Sequence, residues 1–330
     1  MKNKQIVFVE KNTATLMEVP YREPDLDEVV VETEFSTVSC GTEKANITGL
    51  AGAFPVKNMG YSSSGTVVAK GDSVRNLEIG DKVVVYWGKH ARYNTVNKSQ
   101  VVKIDEGINM QEAAMSFIAT FPLAAIRKTR LEIGESAIVL GLGLLGQLAV
   151  KLLRASGACP IIAVDFVAER RAEALANGAD YVFDPSEDGF AKKIKELTGG
   201  GVNVAIEVTG VGQGLDSALD CMAKFGRVAL LGCTRDKNFT IDYYRKVHCP
   251  GITLIGAHTM ARPLYESHAG LFTHCDDIKA VFKLIRGGRL DLSSAIKKTC
   301  SPEECHCVYT QLVNDPNFPI TVQFDWRLLK

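Results

Sequence analysis

The chain has 330 residues, and 38 Lys and Arg balance 38 Asp and Glu to give a formal net charge of +0. Such a length exceeds what one hydrophobic core usually fills, so two domains, or one interrupted by another, are expected. Neutrality removes the global field that would draw the protein to nucleic acid or an anionic membrane, and no apolar run is long enough to span a bilayer. The expectation is a soluble, cytoplasmic protein with a small-molecule partner.

In chain order, the first hundred residues carry short β-type runs (QIVFVE, EVVVETEF, GTVVAKG, DKVVVYW, QVVKI) separated by Gly, Asp and Asn turns, the texture of an all-β domain. From about residue 131 apolar strands alternate with helical stretches: SAIVLGLG, LLGQLAVKLLRASG, PIIAVD, VAERRAEALANG and ADYVFD. That alternation predicts right-handed βαβ crossovers and a parallel sheet. VNVAIEVTG, GRVALLGC and GITLIGAH add strands to make about six in a doubly wound Rossmann sheet. After His258 a helix at DDIKAVFKLIRGG and a strand at ITVQFDW return to complete the first domain. The expected division is 1–122 with 262–330 for the β-rich domain and 123–261 for the dinucleotide domain.

Nine cysteines, an odd count with no secretion signal, imply reduced thiols. The cluster Cys300, Cys305 and Cys307 lacks the paired C-x2-C spacing of structural zinc, and no metal is expected there.

Gly141, Gly143 and Gly146 form G-x-G-x-x-G directly after an apolar strand and before an apolar helix. Gly141 allows the tight turn, Gly143 lets backbone approach a pyrophosphate, and Gly146 lets helix and strand pack closely, with phosphates over the helix N-terminus at Leu144 and Leu145. The next strand ends in Asp165, nineteen positions after Gly146, where an acid accepts hydrogen bonds from the adenosine ribose and repels a 2′-phosphate. Arg170, close behind, could stack on adenine or reach a phosphate. NAD is therefore expected in preference to NADP.

Cys40-Gly41-Thr42-Glu43, Gly60-Tyr61 with Gly65 and Val67-Val68, Gly80-Asp81-Lys82-Val83, the glycine fingerprint and Asp165 together resemble the medium-chain dehydrogenase/reductase superfamily, which includes zinc alcohol, sorbitol and threonine dehydrogenases. The VSCGTE and GYSSSG segments look most like bacteriochlorophyllide or cyclitol dehydrogenase-like sequences. The resemblance implies a β-rich, GroES-like N-terminal domain completed by the C-terminal tail, an inserted α/β Rossmann domain, and a homo-oligomer, dimer or tetramer. It also implies that Thr209 and the pair Gly232-Cys233 lie in loops flanking the nicotinamide and its ribose.

In zinc-dependent relatives the Cys-Gly-Thr motif supplies a metal ligand and a proton-relay hydroxyl, which fall here on Cys40 and Thr42. The second ligand, a His in a Gly-His-Glu motif, is replaced by Tyr61, and the segment MSFIATFPL, where a third would lie, holds no Cys, His, Asp or Glu. One thiolate cannot hold the ion, so no zinc is expected. Tyr61 then becomes the candidate donor to a substrate oxygen, Thr42 a relay, Glu43 an orienting carboxylate and His90 a proton shuttle. The implied activity is a zinc-independent hydride transfer between nicotinamide and a secondary alcohol or ketone of a polyol, sugar or cyclitol. The competing readings are a quinone- or enoyl-type reductase and a non-enzymatic nucleotide-binding protein.

Overall fold

The structure is a computed structural model describing residues 2–234 and 238–329. Its chain divides into two compact units, one comprising 1–118 and 278–330, the other 119–277.

The first unit begins with an antiparallel pair, β1 (Lys2–Glu10) and β2 (Thr13–Pro20). There follow β3 (Glu28–Thr37), α1 (Cys40–Ile47), β4 (Ser62–Lys70), β5 (Lys82–Tyr86), β6 (Tyr93–Asn97), β7 (Val101–Lys103) and α2 (Met110–Thr129). Valines dominate the strands because β-branched side chains pack well on a pleated, half-buried face. Val29, Val31, Val67, Val83, Val85 and Val96 build one of the unit's cores. Two register shifts bend β3 against β4, at Val30/Val31 and Thr33/Phe35. The bent strand pairs with β6 along Glu28–Glu32 and, nearer its end, with a strand from the chain's C-terminal part.

The second unit contains β8 (Ala137–Leu140), α3 (Leu144–Ala155), β9 (Ile161–Val164), α4 (Ala168–Ala176), β10 (Tyr181–Phe183), α5 (Phe190–Leu197), β11 (Val202–Glu207), α6 (Gly212–Asp220), β12 (Met222–Leu230) and β13 (Thr253–Gly256). All six strands are parallel, in the order β10-β9-β8-β11-β12-β13, so the order reverses beside β8. Strands β8, β9 and most of β11 are buried throughout, which explains why they are apolar runs rather than alternating ones.

The chain returns through α7 (His274–Arg286), β14 (Lys298–Cys300), α8 (Cys305–Asn314) and β15 (Val322–Asp325). Strand β15 pairs antiparallel with the end of β3. Residues 262–277, expected to belong to the returning tail, stay with the dinucleotide unit. An ion cluster ties this segment to α2. The guanidinium of Arg262 reaches Asp277 Oδ2 at 3.1 Å and Thr120 O at 3.1 Å, and Arg127 reaches Asp277 Oδ1 at 2.9 Å. No helix among the described residues is long and apolar enough to cross a membrane.

Candidate active site and dinucleotide cradle

A network of hydrogen bonds surrounds the end of β3. Ser36 and Thr37 point to opposite faces: Ser36 Oγ lies 2.7 Å from His90 Nδ1, while Thr37 Oγ1 donates to Ala114 O at 2.9 Å. The β3–β15 pairing continues one residue past the end of β3, with Val38 N donating to Val322 O at 2.9 Å. At Cys40 the thiol takes over where a backbone N–H would stand, lying 3.4 Å from Ile320 O and 3.7 Å from Pro319 O.

Helix α1 starts at this point with Ser39 as N-cap. Its hydroxyl makes no capping bond and accepts instead from Tyr61 Oη at 2.5 Å. A Ser cap is worth about 1 kcal/mol, so α1 gives up that stabilisation for the Tyr61 contact. Glu43 satisfies the other end of the turn, accepting from Ser39 N at 2.8 Å. Thr42 is half-buried, and its carbonyl accepts from Asn46 Nδ2 at 2.8 Å.

Glu43 and His90 are both wholly buried. Besides Ser39 N, the carboxylate accepts from Tyr309 Oη at 2.5 Å, and His90 Nε2 lies 3.2 Å from Oε2. Burial, reinforced by the Glu43 charge, pushes the Tyr309 phenol well above its ordinary pKa, so it stays protonated and donates. Trp326 Nε1 donates to Ser36 Oγ at 2.8 Å, so the Ser36 hydroxyl bridges the indole and His90 Nδ1. Gly60 makes the approach possible: at φ +95°, a Cβ there would sit 2.2 Å from His90 N. His90, expected as a shuttle at a cleft, therefore sits inside the unit with both nitrogens occupied by Ser36 and Glu43.

Sequence reasoning passed over Tyr309, Ser36 and Trp326, none of which carries a motif, Ser39, which stands inside VSCGTE, and Trp87. Trp87 is half-buried with φ +57°, a left-handed conformation costly for an aromatic residue. Its ring centroid lies 5.5 Å from that of Tyr61 and 5.1 Å from that of Phe117. A turn whose residues follow Tyr86 in β5 was the only available signal.

In the other unit the fingerprint has the expected shape. Gly141 has φ +91°, and a Cβ on Gly146 would lie 1.9 Å from Gly141 O, so helix and strand touch through glycine. Gly143, the N-cap of α3, has nothing within 4 Å of a Cβ position and leaves the helix N-terminus open on that side. Leu144 is buried and Leu145 half-buried in the first turn. This cradle fits a dinucleotide pyrophosphate.

Asp165 already accepts one backbone N–H on each oxygen, Leu142 N at 2.7 Å and Val167 N at 2.9 Å, and retains lone pairs for further donors. Arg170 Nη1 lies 3.8 Å from Asp165 Oδ2, while Arg171 is held by Asp165 O and Asp184. Thr209, Gly232 and Cys233 occupy the loops that follow β11 and β12, and Cys233 is exposed.

Donor chemistry around Cys40 does not fit a catalytic zinc. The thiol faces backbone carbonyls, its neighbour Ser39 is bonded to the phenol of Tyr61, and among the described residues no cluster of three His, Cys, Asp or Glu could hold a metal.

Two family models match the chain: the alcohol dehydrogenase GroES-like domain over residues 25–116 and the zinc-binding dehydrogenase domain over 145–272. It is 28% identical over 325 residues to L-threonine 3-dehydrogenase of Pyrococcus horikoshii, covering 84% of this chain and 93% of that one. It is 32% identical over 200 residues to (R,R)-butanediol dehydrogenase of Bacillus subtilis, covering 52% and 58%. The crystal structure of 2R,3R-butanediol dehydrogenase from Bacillus subtilis superimposes with a TM-score of 0.85 at 21% identity, covering 98% of this chain and 99% of that one.

A GroES-like unit joined to a doubly wound dinucleotide unit, each matched by its own model, defines the class as alcohol dehydrogenase-like, NAD(P)-dependent oxidoreductases. The chain belongs to the medium-chain, zinc-type dehydrogenase superfamily.

Proposed function

We propose that this enzyme transfers hydride between NAD and a secondary alcohol or ketone of a polyol, sugar or cyclitol without a catalytic zinc. The observation that carries the reading is the Tyr61–Ser39 hydrogen bond, which stands beside Cys40 and Thr42 and costs α1 its cap. Secondary alcohols are the substrates named by its relatives, threonine at carbon 3 and butanediol.

Tyr61 Oη hydrogen-bonds the substrate oxygen. During oxidation the substrate hydroxyl proton passes to Tyr61 Oη as the Tyr61 proton moves to Ser39 Oγ, whose own proton leaves to water; reduction runs the same path backwards. A nicotinamide dinucleotide held by the Gly141–Gly146 turn would supply the hydride acceptor or donor for this reaction. Thr42 is a second hydroxyl on the same turn and completes the relay. Glu43 and His90 act through position: their bonds to Ser39 N, Tyr309 and Ser36 fix the start of α1. The Trp87 and Tyr61 rings offer an apolar face to the C–H side of a cyclic polyol.

Gly141, Gly143, Leu144, Leu145 and Gly146 hold the pyrophosphate, and Asp165, with Arg170 beside it, selects NAD over NADP. Thr209, Gly232 and Cys233 contribute backbone contacts. The enzyme works in the cytoplasm as a homo-oligomer; nine free thiols and the exposed edge strand β13 support that reading.

Plasma mass spectrometry of the purified protein, run beside NADH and NADPH titrations followed by nicotinamide fluorescence, tests the proposal. Sub-stoichiometric zinc with preferential NADH binding is expected. One tightly held zinc per chain would overturn the metal-free mechanism, and preferential NADPH binding would favour the quinone- or enoyl-reductase alternative.

A further inference from the structure

Gln147 stands in the first turn of α3, directly after the last fingerprint glycine, and is 0% exposed. An apolar residue would fill that place at no cost in lost water contacts, whereas a buried carboxamide must recover its hydrogen bonds inside the protein. Its partners are therefore informative.

Nε2 donates to Leu142 O at 3.3 Å and to Arg170 O at 2.8 Å, while Oε1 accepts from Asn177 Nδ2 at 2.9 Å. Two carbonyl oxygens on one side fix which end of the amide is nitrogen. Leu142 lies between Gly141 and Gly143 in the turn that cradles the pyrophosphate. Asp165 Oδ2 accepts its N–H at 2.7 Å and Gln147 takes its C=O, so the turn is held from both sides.

Arg170 belongs to the first turn of α4, and its Nη1 lies 3.8 Å from Asp165 Oδ2. That helix starts on Val167, which has no capping side chain, and ends on Asn177 as C-cap. Its placement rests on Asp165 Oδ1, which accepts Val167 N at 2.9 Å, and on the two bonds from Gln147 to Arg170 and Asn177. One amide thus ties the phosphate turn to both ends of the helix that carries Arg170. Held beside Asp165, the guanidinium is occupied. Released with α4, it can turn to an incoming 2′-phosphate and offset the repulsion from the carboxylate.

We propose that Gln147 is a positioning residue that sets the choice of dinucleotide from outside the site: by fixing α4 to the phosphate turn it keeps Arg170 on Asp165 and so maintains discrimination against a 2′-phosphate. This rests on the NAD reading of Asp165.

The test is fluorescence titration of wild type and Gln147→Met with NADH and NADPH. Methionine keeps the length and fills the space but donates nothing. The preference for NADH over NADPH should fall about tenfold in the variant. In an Arg170→Ala background the same substitution should leave the preference unchanged, because the residue that meets the phosphate is gone. Equal weakening of both dinucleotides, the mark of a merely structural amide, would overturn the proposal, as would an unchanged preference or a fall that survives Arg170→Ala. If Gln147→Met does not fold, Asn177→Ala, which frees the other end of the amide, takes its place with an expected fall of about threefold; an unchanged preference there overturns the proposal alone. Wild type that binds NADPH as tightly as NADH would instead sink the NAD reading itself.

Discussion

Both units seat a buried carboxylate beneath a functional turn, but they recruit its partners over different distances. In the dinucleotide unit Asp165 and Glu207 bind backbone N–H groups two or three residues ahead, with Leu142 as the one distant partner. In the β-rich unit Glu43 gathers His90, 47 positions away, and Tyr309, 266 positions away. A locally satisfied carboxylate shapes one loop. A carboxylate satisfied from afar makes the start of α1 depend on the docking of β15 and α8.

The sharpest way to break this comparison is at the reacting end. Tyr61→Phe keeps the ring but removes the donor to Ser39, and kcat should fall about 10²–10⁴-fold with NADH affinity unchanged; unaltered turnover on a good substrate would end its catalytic assignment. In the local cradle, Gly146→Ala places a methyl 1.9 Å from Gly141 O. A cost of about 3 kcal/mol and loss of NADH binding are expected, read by urea denaturation and fluorescence titration.

Tyr309→Phe leaves Glu43 short of one donor and should cost about 1–3 kcal/mol. It should also lower kcat, although Tyr309 lies outside the relay. Stability loss with full turnover would show that α1 does not depend on its distant partners.

A further test concerns His274, whose pKa burial and the nearby Arg262 charge push down to about 3 from 6.5. Below pH 6.5 the unfolded chain binds the proton and the folded one does not, so this group withdraws stability as pH falls from 6.5 toward about 3. His274→Gln should flatten that part of the curve relative to wild type in a pH series of denaturation midpoints.

The same contrast explains what was legible in the sequence. Strand β8, the fingerprint, α3 and Asp165 follow one another within thirty residues, and short-range chemistry fixed their reading in advance. So did the six-strand count, because parallel strands buried on both faces stand out as apolar runs. Helix α8 went unseen because CHCVYTQLVN begins in a cysteine cluster that drew attention to metal spacing, and Tyr309 went with it. His90 looked like a cleft histidine because it follows β5; only the fold shows Gly60 admitting it to the interior. The limits of residues 262–277 escaped because their contacts are long-range: Arg262 meets Thr120 O and Asp277 only in the fold.

The Cys40 thiol prolongs the β3–β15 seam by donating toward Ile320 O. In this setting sulfur acts as a hydrogen-bonding replacement for an amide, and a proton on it is structural. On the proposed zinc-free reading, Cys40 would have to surrender that proton to become a ligand, and residues 319–320 would then lose a donor. An engineer who places a metal at Cys40 must redesign both sides of the seam together.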